Sequence, residues 1–257
     1  MTAPVLPTSE AAPRRSSIDR SLAMRLAATE YERCAQLLAR LEPDHWSAPT
    51  VNTGWTVRDT AGHMLGMTQM MSSLSELLGQ MTTSTRQARK AKAPVSVDFL
   101  TALQVRRNAH LTTAELVQRW QALAPKAVRG RRRLPGWLHG RTMPETQLVG
   151  GRLERWTFGY LVDVILTRDP FMHRLDICAA TGLDPQPTAE YDGRLVDDVV
   201  HEWGQRHGQP YTLELTGPAG GVWGNGGERI TLDALEFCRK VSGRGEAIGL
   251  LATAVPF

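Results

Sequence analysis

The chain has 257 residues, 42% of them apolar, and a net charge of +4 at pH 7 with both signs dispersed along it. That length can bury one large core or two modest ones, and the apolar fraction is that of an ordinary globular protein. No apolar run reaches the ~18 residues a membrane span requires. The one dense basic cluster, "RGRRR" at Arg129 to Arg133, is short enough to read as a solvated loop, so neither membrane nor nucleic acid is an expected partner. Cys34, Cys178 and Cys238 lie far apart and form no CxxC. An odd, scattered set of this kind gives no disulfide framework and suits a reducing cytosol.

The N-terminus, "MTAPVLPTSEAAPRRSSIDRS", carries twin arginines, Arg14 and Arg15. The residues after them are polar, so no secretory signal is expected, and residues 1–17 read as a mobile tail. From about Ile18 to Gly182 the pattern is helical. "LAMRLAATEYERCAQLLARL" puts Leu22, Leu26, Ala27, Cys34, Leu37, Leu38 and Leu41 largely on one stripe. Pro43, Pro49 and Gly54 then interrupt it. A second helix opens at Thr56, which with Asp59 resembles a capping box, and runs through "VRDTAGHMLGMTQMMSSLSELLGQM". Two more cover "VDFLTALQVRRNAHL" and "TTAELVQRWQALAPKAV", and a last long helical region surrounds "RDPFMHRLDIC". Such a set predicts a helical bundle.

Beyond Gly182 the pattern changes. "YTLELTG" alternates like a strand, and "PAGGVWGNGGERITL" contains "NGG", a hairpin signal. "DALEFCRKVSG" reads as a short helix capped by Asp233 and ended by Gly243, and "LLATAVPF" as a final strand. The expected fold class is therefore α+β: a bundle over residues 18–182 and a small α+β unit over 183–257.

Candidate chemistry centres on "RDPFMHRLDIC", Arg168 to Cys178. Residues i and i+4 share a helical face, so Asp169 and His173 could chelate one divalent ion. Asp176 lies near the same face and would orient the imidazole. Cys178 points about 140° away from His173 and is a poor ligand. A second interpretation competes: Asp-Pro is a common helix start, with Asp169 as N-cap and Pro170 at the first helical position. His63, in "GWTVRDTAGHML", is alone no more than a histidine beside an apolar stripe. Combined with the distant pair, it completes a three-ligand set with an open position, as catalytic metals have. "HEWGQRH" fails the HExxH spacing because Gln205 stands where the second histidine belongs. His45, His110 and His139 lack partners at useful spacing.

"GWTVRDTAGHM" followed by "RDPFMHRLDICAATG" resembles the DinB-like superfamily, and more closely the mycothiol-dependent maleylpyruvate isomerase family. "LEFCRKVSGRG" and "ATAVPF" are similar to that family's second domain, which resembles sterol carrier proteins. The resemblance implies a four-helix bundle holding a divalent metal, usually zinc. Its ligands would be His63, Asp169 and His173, with Asp169 where the isomerase has the longer Glu. It also implies mycothiol as a thiol cofactor, a cytoplasmic enzyme, and an essential C-terminal arginine. For that arginine Arg244 in "SGRG" is the first choice and Arg239 the second. A metal-held thiolate would add to a small electrophilic substrate, giving cis–trans isomerisation or thiol transfer, in a cleft between the two parts. Two other classes remain open at this point: a metal-dependent hydrolase or lyase that activates water, and a non-catalytic small-ligand binding protein.

Overall fold

The computed structural model describes residues 12–257. They form two compact units: 12–148 with 153–183, and 184–257 with 149–152. The larger holds α1 (Arg20–Ala39), α2 (Val57–Ser72), α3 (Leu74–Ala91), α4 (Val97–Asn108), α5 (Thr113–Arg132), α6 (Gly136–His139), α7 (Leu166–Thr181) and, apart from its turn at 149–152, the two-stranded sheet of β1 (Thr142–Val149) and β2 (Arg152–Thr157). A π-helical turn, Tyr160–Ile165, leads directly into α7. The smaller holds α8 (Asp192–His207), β3 (Tyr211–Thr216), β4 (Gly221–Gly224), β5 (Glu228–Asp233) and α9 (Ala234–Val241). The α+β class expected from the sequence is what the chain adopts.

In the larger unit α1, α5, α2 and α7 form a ring, each packed on its neighbours, and α3 and α4 lie against α2. The expected apolar stripe of α1 is buried: Leu26, Ala27, Cys34, Leu37 and Leu38 all face the core. Trp120 of α5 packs edge-on against Tyr31, and its indole N–H donates to the Tyr31 carbonyl at 2.9 Å. A buried indole with its one donor satisfied ties α5 to α1 without a polar penalty. Beside it, Arg174 Nε of α7 meets Glu30 Oε1 of α1 at 2.7 Å, both side chains almost fully buried.

Several expectations are corrected. The long second helix is two helices: Ser73 takes an extended conformation (φ −147°, ψ 130°) and its hydroxyl accepts from the Glu76 N–H, which starts α3. The Ser73-x-x-Glu76 spacing is a helix-start signal in its own right. The helical stretch to Gly182 is interrupted by β1 and β2, whose turn carries Gly150 and Gly151 at φ 55° and 79°. Two adjacent left-handed residues are what a tight hairpin turn demands. Arg129 to Arg132 close α5 rather than forming a loop, and Arg131 is buried. "NGG" does not join paired strands: the order is β4-β3-β5, with β4 antiparallel to β3 and β5 parallel to it. "LLATAVPF" opens inside a 3-10 turn, Gly249–Ala252, and forms no strand. Of the expected tail, residues 1–11 lie outside the described residues, whereas Arg14 bridges Trp156 of β2.

The smaller unit packs α8 and α9 around Trp203, which is fully buried. Tyr211 and Phe237 meet its ring edge-on, and its indole N–H donates to the Leu250 carbonyl at 2.9 Å. Asp233 caps α9, accepting from the N–H groups of Leu235 and Glu236, and Gly243 follows the helix at φ 84°, as the sequence leads one to expect.

The approach of α5 to α2 requires a glycine. A Cβ added at Gly130 would lie 1.9 Å from the Met71 carbonyl oxygen, backbone that cannot swing aside. Gly130→Ala is expected to destabilise the fold by about 2–3 kcal/mol, read as a lowered denaturation midpoint. A wild-type midpoint would mean that α5 does not sit this close.

Candidate metal centre

The site is built where α2 meets α7. His63 lies two turns into α2, whose start is fixed by the Thr56–Asp59 capping box predicted from the sequence: each side chain accepts from the other's backbone N–H. Asp169 and His173 lie one turn apart on α7. Helix α7 begins at Leu166 in continuation of the π-helical turn, and its N-cap position is Ile165, so Asp169 is inside a helix and caps nothing. The cap interpretation is thereby overturned.

Pro170 does not break this helix, for a specific reason. Proline has no N–H for the carbonyl four residues back, here Leu166. Arg131 supplies the missing donor: Nη1 reaches the Leu166 oxygen at 2.9 Å, and Nη2 reaches the Val162 oxygen at 2.6 Å and Thr167 Oγ1 at 2.5 Å. A buried guanidinium thus satisfies the Leu166 acceptor that the proline leaves open and binds Val162 and Thr167 beside it, so the helix that carries Asp169 and His173 on one face continues through the proline.

The three side chains converge. Asp169 Oδ1 is 3.5 Å from His63 Nε2 and 3.5 Å from His173 Nε2, and one ligand atom from each residue lies within 4.8 Å of the others. The imidazole rings are 5.0 Å apart and nearly perpendicular. Each ring is also held from behind. His63 Nδ1–H donates to Gln104 Oε1 at 2.8 Å, and His173 Nδ1–H donates to Asp176 Oδ2 at 3.1 Å, which also accepts from Asn52 Nδ2 at 3.3 Å. Both Nδ1 atoms being donors, the two Nε2 atoms face Asp169, and each offers a lone pair to a cation once it carries no proton. Trp55 flanks the two rings, at 5.4 Å from His63 and 6.4 Å from His173.

This donor set fits a divalent cation. Ligands at ~2.0–2.2 Å around a tetrahedral ion lie about 3.3–3.6 Å from one another. The 3.5 Å separations match that edge and are long for charge-assisted hydrogen bonds, which run ~2.7–2.9 Å. Acceptors behind both imidazoles are what metal-binding histidines have. The two histidine side chains are 3% and 8% exposed and the Asp169 side chain 16%, so solvent reaches the group past Asp169.

Charge is tightly coupled here. Burial alone would raise the Asp169 carboxyl, but the charge and hydrogen bond of His173, with a further hydrogen bond from His63, hold it well below the usual carboxylate range. Burial works against charge on His173 too, yet Asp169 and then Asp176 push it up to about 9.

Of the other candidates, Arg239 and Arg244 belong to the smaller unit. Arg239 Nε lies 3.7 Å from Glu236 Oε2, and the Arg244 N–H donates to the Arg239 carbonyl at 2.8 Å across the turn at Gly243. Cys178 is buried in the bundle core, as its angular offset predicts. Cys34, Cys178 and Cys238 are all buried. Burial, and then Glu30, push the Cys34 thiol well above its ordinary value. His139, for which spacing offers no partner, donates from Nε2 to the buried Asp163 Oδ2 at 2.6 Å. Sequence reasoning missed Gln104, Asn52 and Trp55. A lone amide on a helix has no periodic signature, so nothing in the sequence marks Gln104.

The sequence model for the mycothiol maleylpyruvate isomerase N-terminal domain matches residues 27–178. The chain belongs to this family. Two solved structures, of a mycothiol-dependent maleylpyruvate isomerase and of a histidine-to-alanine mutant of it, share the fold. They give TM-scores of 0.54 and 0.53 at 12% identity, over 89% of this chain and 90% of theirs. No curated protein matches the chain. Among the described residues no helix is long and apolar enough to cross a membrane.

The coupled charges set a pH dependence. A histidine raised from 6.5 to about 9 in the folded state contributes stability fully present below 6.5 and lost as pH rises through 9. The depressed Asp169 acts the other way, present above its unfolded value and lost only in strong acid. The melting temperature of the metal-free protein should therefore fall between pH 6.5 and 9. Zinc should raise it and release about one proton at pH 7.5, measured by calorimetry in buffers of different ionisation enthalpy. A metal-free melting curve that rises across that window would contradict the His173–Asp169 pairing.

Proposed function

We propose that this protein is an enzyme that uses a divalent cation, zinc by its donor chemistry, and a low-molecular-weight thiol, mycothiol by its family, to act on a small electrophilic substrate. The observation that supports this most is the convergence of two Nε2 atoms and one carboxylate oxygen within 4.8 Å of one another, each imidazole nitrogen at 3.5 Å from the carboxylate, the edge length of a metal tetrahedron. His63, Asp169 and His173 would hold the cation and leave a coordination position free, as catalytic sites do. When bound, the cation would make a ligated thiol acidic enough to be a thiolate at neutral pH, the soft nucleophile that cis–trans isomerisation by addition and elimination, or thiol transfer by displacement, requires.

The chain's own residues take the other roles. Each cysteine is buried, so the reacting sulfur comes from the thiol cofactor. Asp176 and Gln104 fix the two imidazoles, and Trp55 walls one side of the group with an apolar ring. Arg244 would clamp a carboxylate of the substrate by a bidentate contact, and Arg239 would contribute to holding the cofactor. Gly243 and Gly245 beside Arg244 let a carboxylated ligand approach.

Turnover of maleylpyruvate, or of an electrophile with a leaving group, is expected to require both zinc and thiol, each omission abolishing it. Hydrolysis that proceeds at full rate without thiol would replace this function with water activation. Substituting His63, Asp169 or His173 by alanine should each strip the protein of near-stoichiometric metal. Arg244→Lys should lower kcat/KM nearly as much as Arg244→Ala, about ten- to a hundredfold, with metal content unchanged, because a point charge cannot replace the planar fork. Wild-type kinetics for Arg244→Ala would move the role to Arg239.

A further inference from the structure

The two imidazoles are backed by chemically different acceptors. Behind His173 stands a carboxylate, Asp176, whose two oxygens can only accept from an N–H while ionised. Behind His63 stands an amide, Gln104, which can present either its oxygen or its NH2 group. The two choices have opposite consequences. With the oxygen toward Nδ1, that nitrogen carries the proton and Nε2 keeps its lone pair for a cation. With the NH2 toward Nδ1, the proton moves to Nε2, and His63 cannot ligate from the side that faces Asp169. Something has to decide which way the amide lies.

A buried relay decides it. Gln104 Nε2 donates to Gln80 Oε1 at 2.9 Å, with Met67 Sδ as a second acceptor at 3.0 Å. Gln80 is itself an amide and could lie either way, but its Nε2 faces the Gly66 carbonyl at 3.2 Å and Glu76 Oε2 at 3.3 Å. A peptide carbonyl and a carboxylate are acceptors only. They require the Gln80 NH2 group to point at them, which turns the Gln80 oxygen to Gln104, the Gln104 NH2 to Gln80, and the Gln104 oxygen to His63. Both amides are fully buried, so water offers no alternative partner for a reversed one. The contact is also tightly made. A Cβ at Gly66 would lie 2.4 Å from Gln104 Cβ, so the glycine is what admits the Gln104 side chain against α2. Asn108 pins α4 to α2 by donating to the Gly62 carbonyl at 2.8 Å.

We propose that Gln80 and Gln104 form a polarity relay that sets the tautomer of His63, so that the Gly66 carbonyl and Glu76, two amides away, determine whether that histidine presents a lone pair to the cation. Gln104 and Gln80 are positioning residues. The relay gives α3 and α4, which lie outside the four-helix ring, a function at the metal site. This role toward the cation rests on the function proposed above; the tautomer itself does not.

The test separates the two. In the metal-free protein labelled with 15N-histidine, long-range 1H–15N correlation of neutral His63, assigned by its loss in His63→Ala, is expected to show the Nδ1–H form. The Nε2–H form in the unaltered protein overturns the relay with no variant needed. Gln80→Met removes the polarity lock without touching His63. It is expected to give a mixture of tautomers and to weaken zinc in a chelator competition by about tenfold or more, within the ~10–100-fold range for partners behind metal ligands. Gln104→Glu keeps an acceptor toward His63 and has no amide to reverse, so adding it to Gln80→Met should restore the Nδ1–H form and bring zinc affinity back to within about threefold of wild type. A merely structural role for Gln80 would lower the melting temperature while leaving tautomer and zinc affinity alone, and that result overturns the proposal. If the unaltered protein shows the Nδ1–H form yet binds no zinc, the proposed function fails and the relay stands.

Discussion

A helix that carries two converging side chains one turn apart must run unbroken between them, and here it contains a proline. The interaction that makes this possible is the buried guanidinium of Arg131, which occupies the carbonyls of Val162 and Leu166. Without a donor at the Leu166 oxygen, burial of the segment would leave an acceptor that Pro170 cannot satisfy, at a cost of about 1–3 kcal/mol. With it, the π turn and α7 continue as one helical course, and Asp169 and His173 project together toward α2. The geometry of the candidate centre depends on that single side chain of α5.

The same logic of satisfied buried polarity extends outward. Arg174 is paired with Glu30, His173 with Asp176, His63 with Gln104, and Trp120 with a backbone oxygen of Tyr31. Apolar contacts assemble the ring of α1, α5, α2 and α7, but they are not directional. The polar pairs fix how α7 and α4 are rotated against α2, and so which nitrogen of each imidazole faces Asp169. Pairs of this kind are costly to leave half-made, which is why they specify orientation.

Much of this was legible in the sequence, and the reasons are local. Asp169, His173 and His63, which the fold brings together, can be picked out as a candidate set because helical spacing of i and i+4 is a geometric statement and because two motifs together resemble a family. The Thr56–Asp59 box and the Asp233 cap were readable because capping is short-range chemistry. The unreadable features depended on contacts distant in sequence. Arg131 looked like one of several solvated arginines, since only Leu166 and Val162, brought beside it by folding, make it a buried donor. Gln104 looked like any polar residue of a helix. The helix start at Ser73 and the turn at Gly150–Gly151 did have signals; the strength of the surrounding helical pattern masked them.

Family membership and the shared fold give the framework, and the side chains say what the candidate centre offers a cation: two imidazoles and a carboxylate, with no thiol of the chain among them. X-ray absorption at the zinc edge tests that statement most directly. The zinc-loaded protein should show two imidazole ligands with nitrogen and oxygen scatterers at ~2.0–2.2 Å and no sulfur, and added thiol should introduce one sulfur at ~2.3 Å. Sulfur in the first sphere before any thiol is added, or an ion bound without imidazole, would contradict the account.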